Sequence, residues 1–328
     1  MTNSIIQVEK LTKKYGDKTA VDHITFDIGE GELFGFLGPN GAGKTTTIRM
    51  LTTITSVTEG KAMVVGYDVS KNPGEVRARI GVVPQQLIAD DELTGVENVL
   101  LFAKLHHVPS EKARKRASEL LELVDLQASA EKKVKTYSGG MKRRLQLAMG
   151  LVHDPSILFL DEPSLGLDIQ TRAKMWDYVR KLNTENGITV FMTTHYLEEA
   201  DALCERVAIV DGGTIKVLGS PAELKMRLGG DLLSVQVSEG PDLRGFLESV
   251  HDVNEVVKSS SSSYVIKIPR IEKALPQIVD GISQRGLKIL DISFTRPTLD
   301  QVFLQVTGKQ IRDENGPTQA IPLLMEKV

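Results

Sequence analysis

The stretch "LFGFLGPNGAGKTT", residues 33 to 46, constrains the fold more tightly than any other part of the chain. An apolar run of strand length ends in a glycine loop, and the loop opens into a helix start. Gly38, Gly43, Lys44 and Thr45 meet the spacing G-x-x-x-x-G-K-[ST]. Glycines let successive backbone N–H groups converge on one anion, and a helix N-terminus adds its dipole to them. The loop Gly38, Pro39, Asn40, Gly41, Ala42, Gly43, Lys44, Thr45 and Thr46 therefore reads as a phosphate cradle. Lys44 supplies a point charge for the terminal phosphates, and the Thr45 hydroxyl is a candidate ligand for Mg²⁺.

Further apolar runs, "AMVVG", "IGVVP", "ILFLDE", "ITVFMTTH" and "VAIV", continue to about residue 218. Runs without polar alternation predict parallel strands buried on both faces by helices, hence an α/β fold. Residues 93–150 break this texture. In "SEKARKRASELLELVDL", Ala113, Ala117, Leu120, Leu121 and Val124 form one apolar stripe at helical spacing, which predicts a helical insert. Past "GSPAELKMRLGGD" the strand candidates "LLSVQVS", "YVIKI" and "LKILDISF" alternate with helix-like "LRGFLESV" and "IEKALPQIVDGISQRG". The expected organisation is an α/β domain at 1–228 with its insert at about 93–150, then a small βαββαβ-like α+β domain at 229–308. The boundary falls near Gly229 and Gly230, the serines at 259–263 form a solvated hairpin loop, and 309–328 is a loosely held tail.

"ILFLDEP" places Asp161 and Glu162 after a buried strand. Ligands of open α/β sheets bind beyond the carboxyl ends of strands, so both acids reach the glycine loop if the two strands are neighbours. Asp161 would then hold Mg²⁺ through its water shell, and Glu162 would orient or deprotonate an attacking water. His195 ends another apolar strand at the same kind of position. A second small-residue turn, "YSGGM", runs into a helix and makes another anion nest from Ser138, Gly139 and Gly140.

Bulk properties narrow the class. The formal net charge is −3 over 328 residues, without the basic footprint of a dedicated nucleic-acid binder, and no nucleic-acid partner is expected. The basic runs "EKARKR" and "MKRR" read as solvated helix faces. Cys204 is the single cysteine, which excludes an internal disulfide and fits a reducing compartment. The N-terminus lacks an apolar signal core, and no stretch approaches the roughly 18 apolar residues a spanning helix needs. Any membrane role therefore calls for a partner subunit.

Taken in order, Tyr15, the loop at 38–46, "VVPQ" with Gln85, "YSGGM", "ILFLDEP", "SLGLD" ending in Asp168, and His195 resemble the nucleotide-binding subunit of ATP-binding cassette (ABC) transporters. The resemblance implies a P-loop NTPase fold of ABC type with a helical insert, and an ATPase using ATP and Mg²⁺. It also implies that Tyr15 stacks on adenine, that Gln85 joins the Mg²⁺ and water shell, and that His195 contacts the γ-phosphate. The second nest would close on the nucleotide of a facing subunit, with Asp168 bridging the two. A homodimer, or a dimer with a homologous ATPase subunit, follows. "KTTTIRMLTT", "GYDV" and "RPTLDQVFLQVTG" resemble the daunorubicin/doxorubicin exporter branch. That branch implies a protein peripheral to the cytoplasmic face of the membrane, driving efflux of a drug, antibiotic or lipid-like substrate through separate permease subunits. The competing expectation is a soluble ABC-type ATPase acting on ribosomes or DNA.

Overall fold

The computed structural model describes residues 4–228 and 230–308. Its first strands form an antiparallel sheet. β1 (Ser4–Tyr15), β2 (Lys18–Gly29), β4 (Glu59–Val64) and β5 (Tyr67–Asp68) take the order β2-β1-β4-β5. The run "AMVV" therefore belongs to this sheet and not to the parallel one. Ala62 and Val64 are buried, with half-buried Met63 between them.

The remaining apolar runs behave as expected. β3 (Leu33–Leu37), β6 (Ile80–Val83), β7 (Ile157–Asp161), β8 (Thr189–Thr194), β9 (Arg206–Asp211) and β10 (Thr214–Gly219) assemble in the order β10-β9-β3-β8-β7-β6. All neighbouring pairs are parallel except β10 on β9. The reason for the uninterrupted hydrophobicity is visible residue by residue. Phe34, Phe36, Phe159 and Phe191 pack with α1 (Lys44–Leu51) and the antiparallel sheet on one face. Leu33, Leu37, Leu158, Leu160, Val190 and Met192 point the other way, into a cluster shared with helices. Both parities are buried, so neither can be polar.

After α2 (Pro73–Arg77), the helical layer comprises α3 (Gly95–Leu105), α4 (Ser110–Leu123), α5 (Gly139–Leu151), α6 (Ile169–Thr184), α7 (Leu197–Leu203) and α8 (Pro221–Met226). All five residues of the α4 stripe are buried. The C-terminal part contains β11 (Asp231–Val237), α9 (Arg244–Ser249), β12 (Glu255–Lys258), β13 (Ser263–Ile268), α10 (Ile271–Gln284) and β14 (Ile289–Thr295). Its antiparallel sheet has the order β12-β13-β11-β14, and the serine run closes the β12–β13 hairpin. Gly229, half of the expected boundary, and the expected tail at 309–328 lie outside the described residues. α11 (Leu299–Thr307) follows β14 but turns back: Leu299, Val302 and Phe303 bury into the core on the helical side of the six-stranded sheet.

Candidate active site

Four adjacent parallel strands deliver the site. β3 runs into the glycine loop, β8 ends just before His195, β7 ends at Asp161 with Glu162 next, and β6 leads to Gln85. The condition that the loop strand and the acid strand be neighbours is not met, because β8 lies between them. The intervening strand bridges the gap. Its Thr193 hydroxyl donates to Asp161 Oδ1 at 2.6 Å, and Thr45 Oγ1 reaches the same oxygen at 3.2 Å.

The loop needs its glycines. A Cβ on Gly38 would stand 2.3 Å from the Val210 carbonyl oxygen, and Gly43 has φ +101° with the Ala20 carbonyl oxygen 2.6 Å from a Cβ position. Gly43 is also the N-cap of α1 and offers no side-chain acceptor. Thr94, Ser138, Asp168, Ser220 and Thr298 cap α3, α5, α6, α8 and α11 with their side chains. No side chain caps the first-turn N–H groups of α1, which is what an anion site requires. Pro39, Asn40 and Gly41 form the outer bend, Ala42 is buried beneath it, and Thr46 is half-buried in the first turn of the helix.

Lys44 lies at the centre, 5% exposed. Its Nζ donates to the carbonyls of Gly38 at 2.7 Å and Pro39 at 3.1 Å, and stands 3.1 Å from Glu162 Oε1. The other carboxylate oxygen, Oε2, is 3.2 Å from His195 Nδ1, a close contact without hydrogen-bond alignment. Glu162 is buried and holds φ +50°, a region a non-glycine residue rarely occupies. Burial pushes its carboxyl up, but His195 and Lys44 together outweigh burial and hold it below the ordinary carboxylate value.

A hydroxyl and a carboxylate sharing one spot form a hard-oxygen donor set. Thr45 and Asp161 therefore fit Mg²⁺, which takes one or two carboxylates together with substrate phosphates. Among the described residues no group of three or more His, Cys, Asp or Glu could hold a metal ion alone. Tyr15 ends β1 half-exposed, with Lys13 Nζ 5.0 Å from its ring centroid, and Gln85 is exposed beyond β6.

The second nest sits on the helices. Ser138 caps α5 by accepting from the Met141 N–H at 3.3 Å, and Gly139 and Gly140 make its first turn. A Cβ on Gly140 would strike Thr171 Cγ2 at 2.5 Å. Thr171 in turn donates from its backbone at 2.9 Å and its hydroxyl at 2.7 Å to Asp168, the N-cap of α6. Those bonds, the hydroxyl's first, hold the Asp168 carboxyl below its usual value.

The run "MKRR" is corrected in one residue, because Arg143 is 4% exposed. One turn past the nest, α5 enters the core, and the Arg143 guanidinium donates to the carbonyls of Pro84 at 2.9 Å and Glu162 at 3.3 Å. Burial lowers its pKa from the ordinary arginine value. Gln146, a turn further on, donates to the Gln86 carbonyl at 2.7 Å. These two side chains, with Thr193 and the buried Glu199, were not legible as site residues. The one available signal was polarity inside otherwise apolar segments, "FMTTH" and "RRLQLAMGL".

An uncapped helix behind a glycine loop, a lysine and a strand-end glutamate in contact, and a histidine against that glutamate define an ATP-binding cassette ATPase. Comparison with known proteins narrows the class. Residues 21–165 match the ABC transporter family, and residues 219–307 match the C-terminal domain of DrrA1-3-like ATP-binding proteins. The chain belongs to the ABC transporter ATP-binding subunits of the daunorubicin/doxorubicin resistance type. It is 41% identical to the daunorubicin resistance ATP-binding protein DrrA3 of Streptomyces coeruleorubidus, over 95% of this chain and 98% of that one. The linearmycin resistance ATP-binding protein LnrL of Bacillus subtilis is 36% identical over 94% of this chain and its own full length. Among solved structures, a dimeric post-hydrolysis state of the ATP-binding cassette MJ0796 bound to ADP and Pi is similar. It superposes with TM-score 0.60 at 29% identity, covering 66% of this chain and 98% of that one.

Proposed function

We propose that this chain is the ATP-hydrolysing subunit of an exporter, powering efflux of a drug, antibiotic or lipid-like substrate through separate transmembrane permease subunits. The observation that carries the hydrolytic part is the contact of Lys44 and His195 with the two oxygens of Glu162 at the strand ends. Lys44 serves the terminal phosphates, the ionised Glu162 orients and deprotonates water, and His195 aligns that carboxylate against the γ-phosphate. Thr45, Asp161 and Gln85 would hold Mg²⁺, which neutralises phosphate charge when bound. Tyr15 takes the adenine. Ser138, Gly139 and Gly140 complete the site of a facing copy, next to Asp168, so the working unit is a homodimer or a dimer with a homologous ATPase.

The resistance and export functions of its relatives support the cargo class. No helix among the described residues is long and apolar enough to cross a membrane, in keeping with a peripheral subunit on the cytoplasmic face. The loop after Gln85 exposes Leu87 and Ile88, apolar groups suited to a permease's cytoplasmic segment, and α3 exposes Leu101 and Leu105. Glu162→Gln is expected to retain ATP binding while turnover falls about 100-fold or more, whereas Lys44→Ala weakens binding itself. Steady-state ATPase assays and nucleotide titration distinguish these. Turnover at the normal rate in Glu162→Gln would remove the assigned base.

A further inference from the structure

Glu199 is a carboxylate with no exposed surface, in the first turn of α7. Its Oε1 accepts from Trp176 Nε1 at 2.9 Å. Its Oε2 is buried without an aligned donor, and so is the nearby Ser164 hydroxyl. Burial dominates its environment and raises its pKa, while Thr194, Ser164, Trp176 and Arg172 all act in the opposite direction. A buried acid is costly unless several groups converge on it, and here they come from separate elements.

Each of those elements carries a group of the site. Ser164 lies in the turn that follows Glu162, and Leu165 N–H closes that turn on the Glu162 carbonyl at 3.2 Å. Trp176 and Arg172 belong to α6, which begins at its cap Asp168. Thr194 immediately precedes His195, and its carbonyl accepts from the Gly38 N–H at 3.2 Å, at the start of the glycine loop. Arg172 also lies over the Tyr196 ring at 4.1 Å, and that ring packs against the His195 ring at 4.1 Å between centroids.

We infer that Glu199 is a positioning residue for hydrolysis, setting Glu162, Asp168 and His195 in register from behind the site. The inference rests on the ATPase reading above. Glu199 is bonded directly to the helix behind Asp168 through Trp176, and Ser164 in the turn after the base and Thr194 at the strand end before His195 favour its ionised form in a site of low polarity.

Glu199→Gln tests this in the full-length protein. The amide keeps the volume and the acceptor for Trp176, but removes the charge and places an N–H group on the Oε2 side. Turnover is expected to fall about 10- to 100-fold with KM for ATP within about twofold, because a small misplacement of catalytic groups costs rate and not affinity. Trp176 is the one tryptophan in the chain, so its emission reports on this cluster without labelling. Its response to added Mg-ATP is expected in the wild type and lost in Glu199→Gln. Should that variant not fold, Trp176→Phe removes the donor while keeping an aromatic ring, and turnover is expected to fall about 3- to 10-fold at unchanged KM. Unchanged turnover, or equal losses in turnover and ATP affinity, overturns the positioning role. Wild-type protein that hydrolyses no ATP removes the ATPase reading and this inference with it. Normal wild-type hydrolysis beside an undisturbed Glu199→Gln removes only the latter.

Discussion

Gly43 leaves the start of α1 with a left-handed backbone and no room for a side chain. Gly43→Ala is expected to cost about 2 kcal/mol or more, since an L side chain is strained at that φ and collides with the Ala20 carbonyl. Thermal denaturation should show the loss, and nucleotide titration should show weakened binding, because the α1 N–H groups shift with the cap. Lys44 stood out in the sequence as the lysine of a glycine loop and Glu162 as a strand-end acid, while His195 was singled out through the family resemblance; the fold brings the three into contact. Arg143 and Glu199 did not stand out. Their importance comes from burial, and nothing in "MKRR" or "YLEEAD" distinguishes a charge facing water from one facing the core.

At the level of elements, the α4 stripe and the Ser-rich hairpin loop were legible because local periodicity and turn chemistry encode them. The antiparallel partnership of β4 was not, because an apolar run reads the same in either sheet. Joints between elements carry their own chemistry. His106 caps the end of α3 and His153 follows α5, and their rings stack with centroids 3.7 Å apart at 8°. His153 Nε2 donates to the Ile80 carbonyl at 2.9 Å. Burial first, then neighbouring His106, lowers its pKa to about 4, against the weaker raising effects of that carbonyl and Asp154. The folded value lies below the unfolded 6.5, so protons favour the unfolded chain. This contribution to stability is complete above about pH 6.5 and drains away as pH falls toward 4, on the order of 2 kcal/mol after allowance for partial exposure. Melting temperature measured from pH 7.5 to pH 4.5 should fall less in His153→Gln, whose amide can still donate to Ile80, than in the wild type.

The whole molecule joins its parts through α11, which leaves the C-terminal sheet and buries Phe303 between the six-stranded sheet and its helices. Its function is expected to join two molecules. If the nest at Ser138–Gly140 completes a facing copy's site, Lys44→Ala and Ser138→Arg homodimers are each inactive, while a mixed dimer contains one intact site. Mixing equal amounts should restore about a quarter of wild-type turnover, because half the dimers are mixed and each carries one of two sites. An ATPase assay on the mixture checks this, and no recovery would place both nests in the service of one chain. Residue choice along the chain carried the glycine loop, the strand-end acids, the parallel core and the family, because glycine loops, strand-end acids and doubly buried strands each impose local residue choices. Packing in three dimensions set β8 between loop and acids with Thr193 as the bridge, turned Arg143 inward and buried Glu199 against Trp176 of α6. Those facts depend on which surfaces pack together, and burial is a property of the assembled fold that no short window of residues carries.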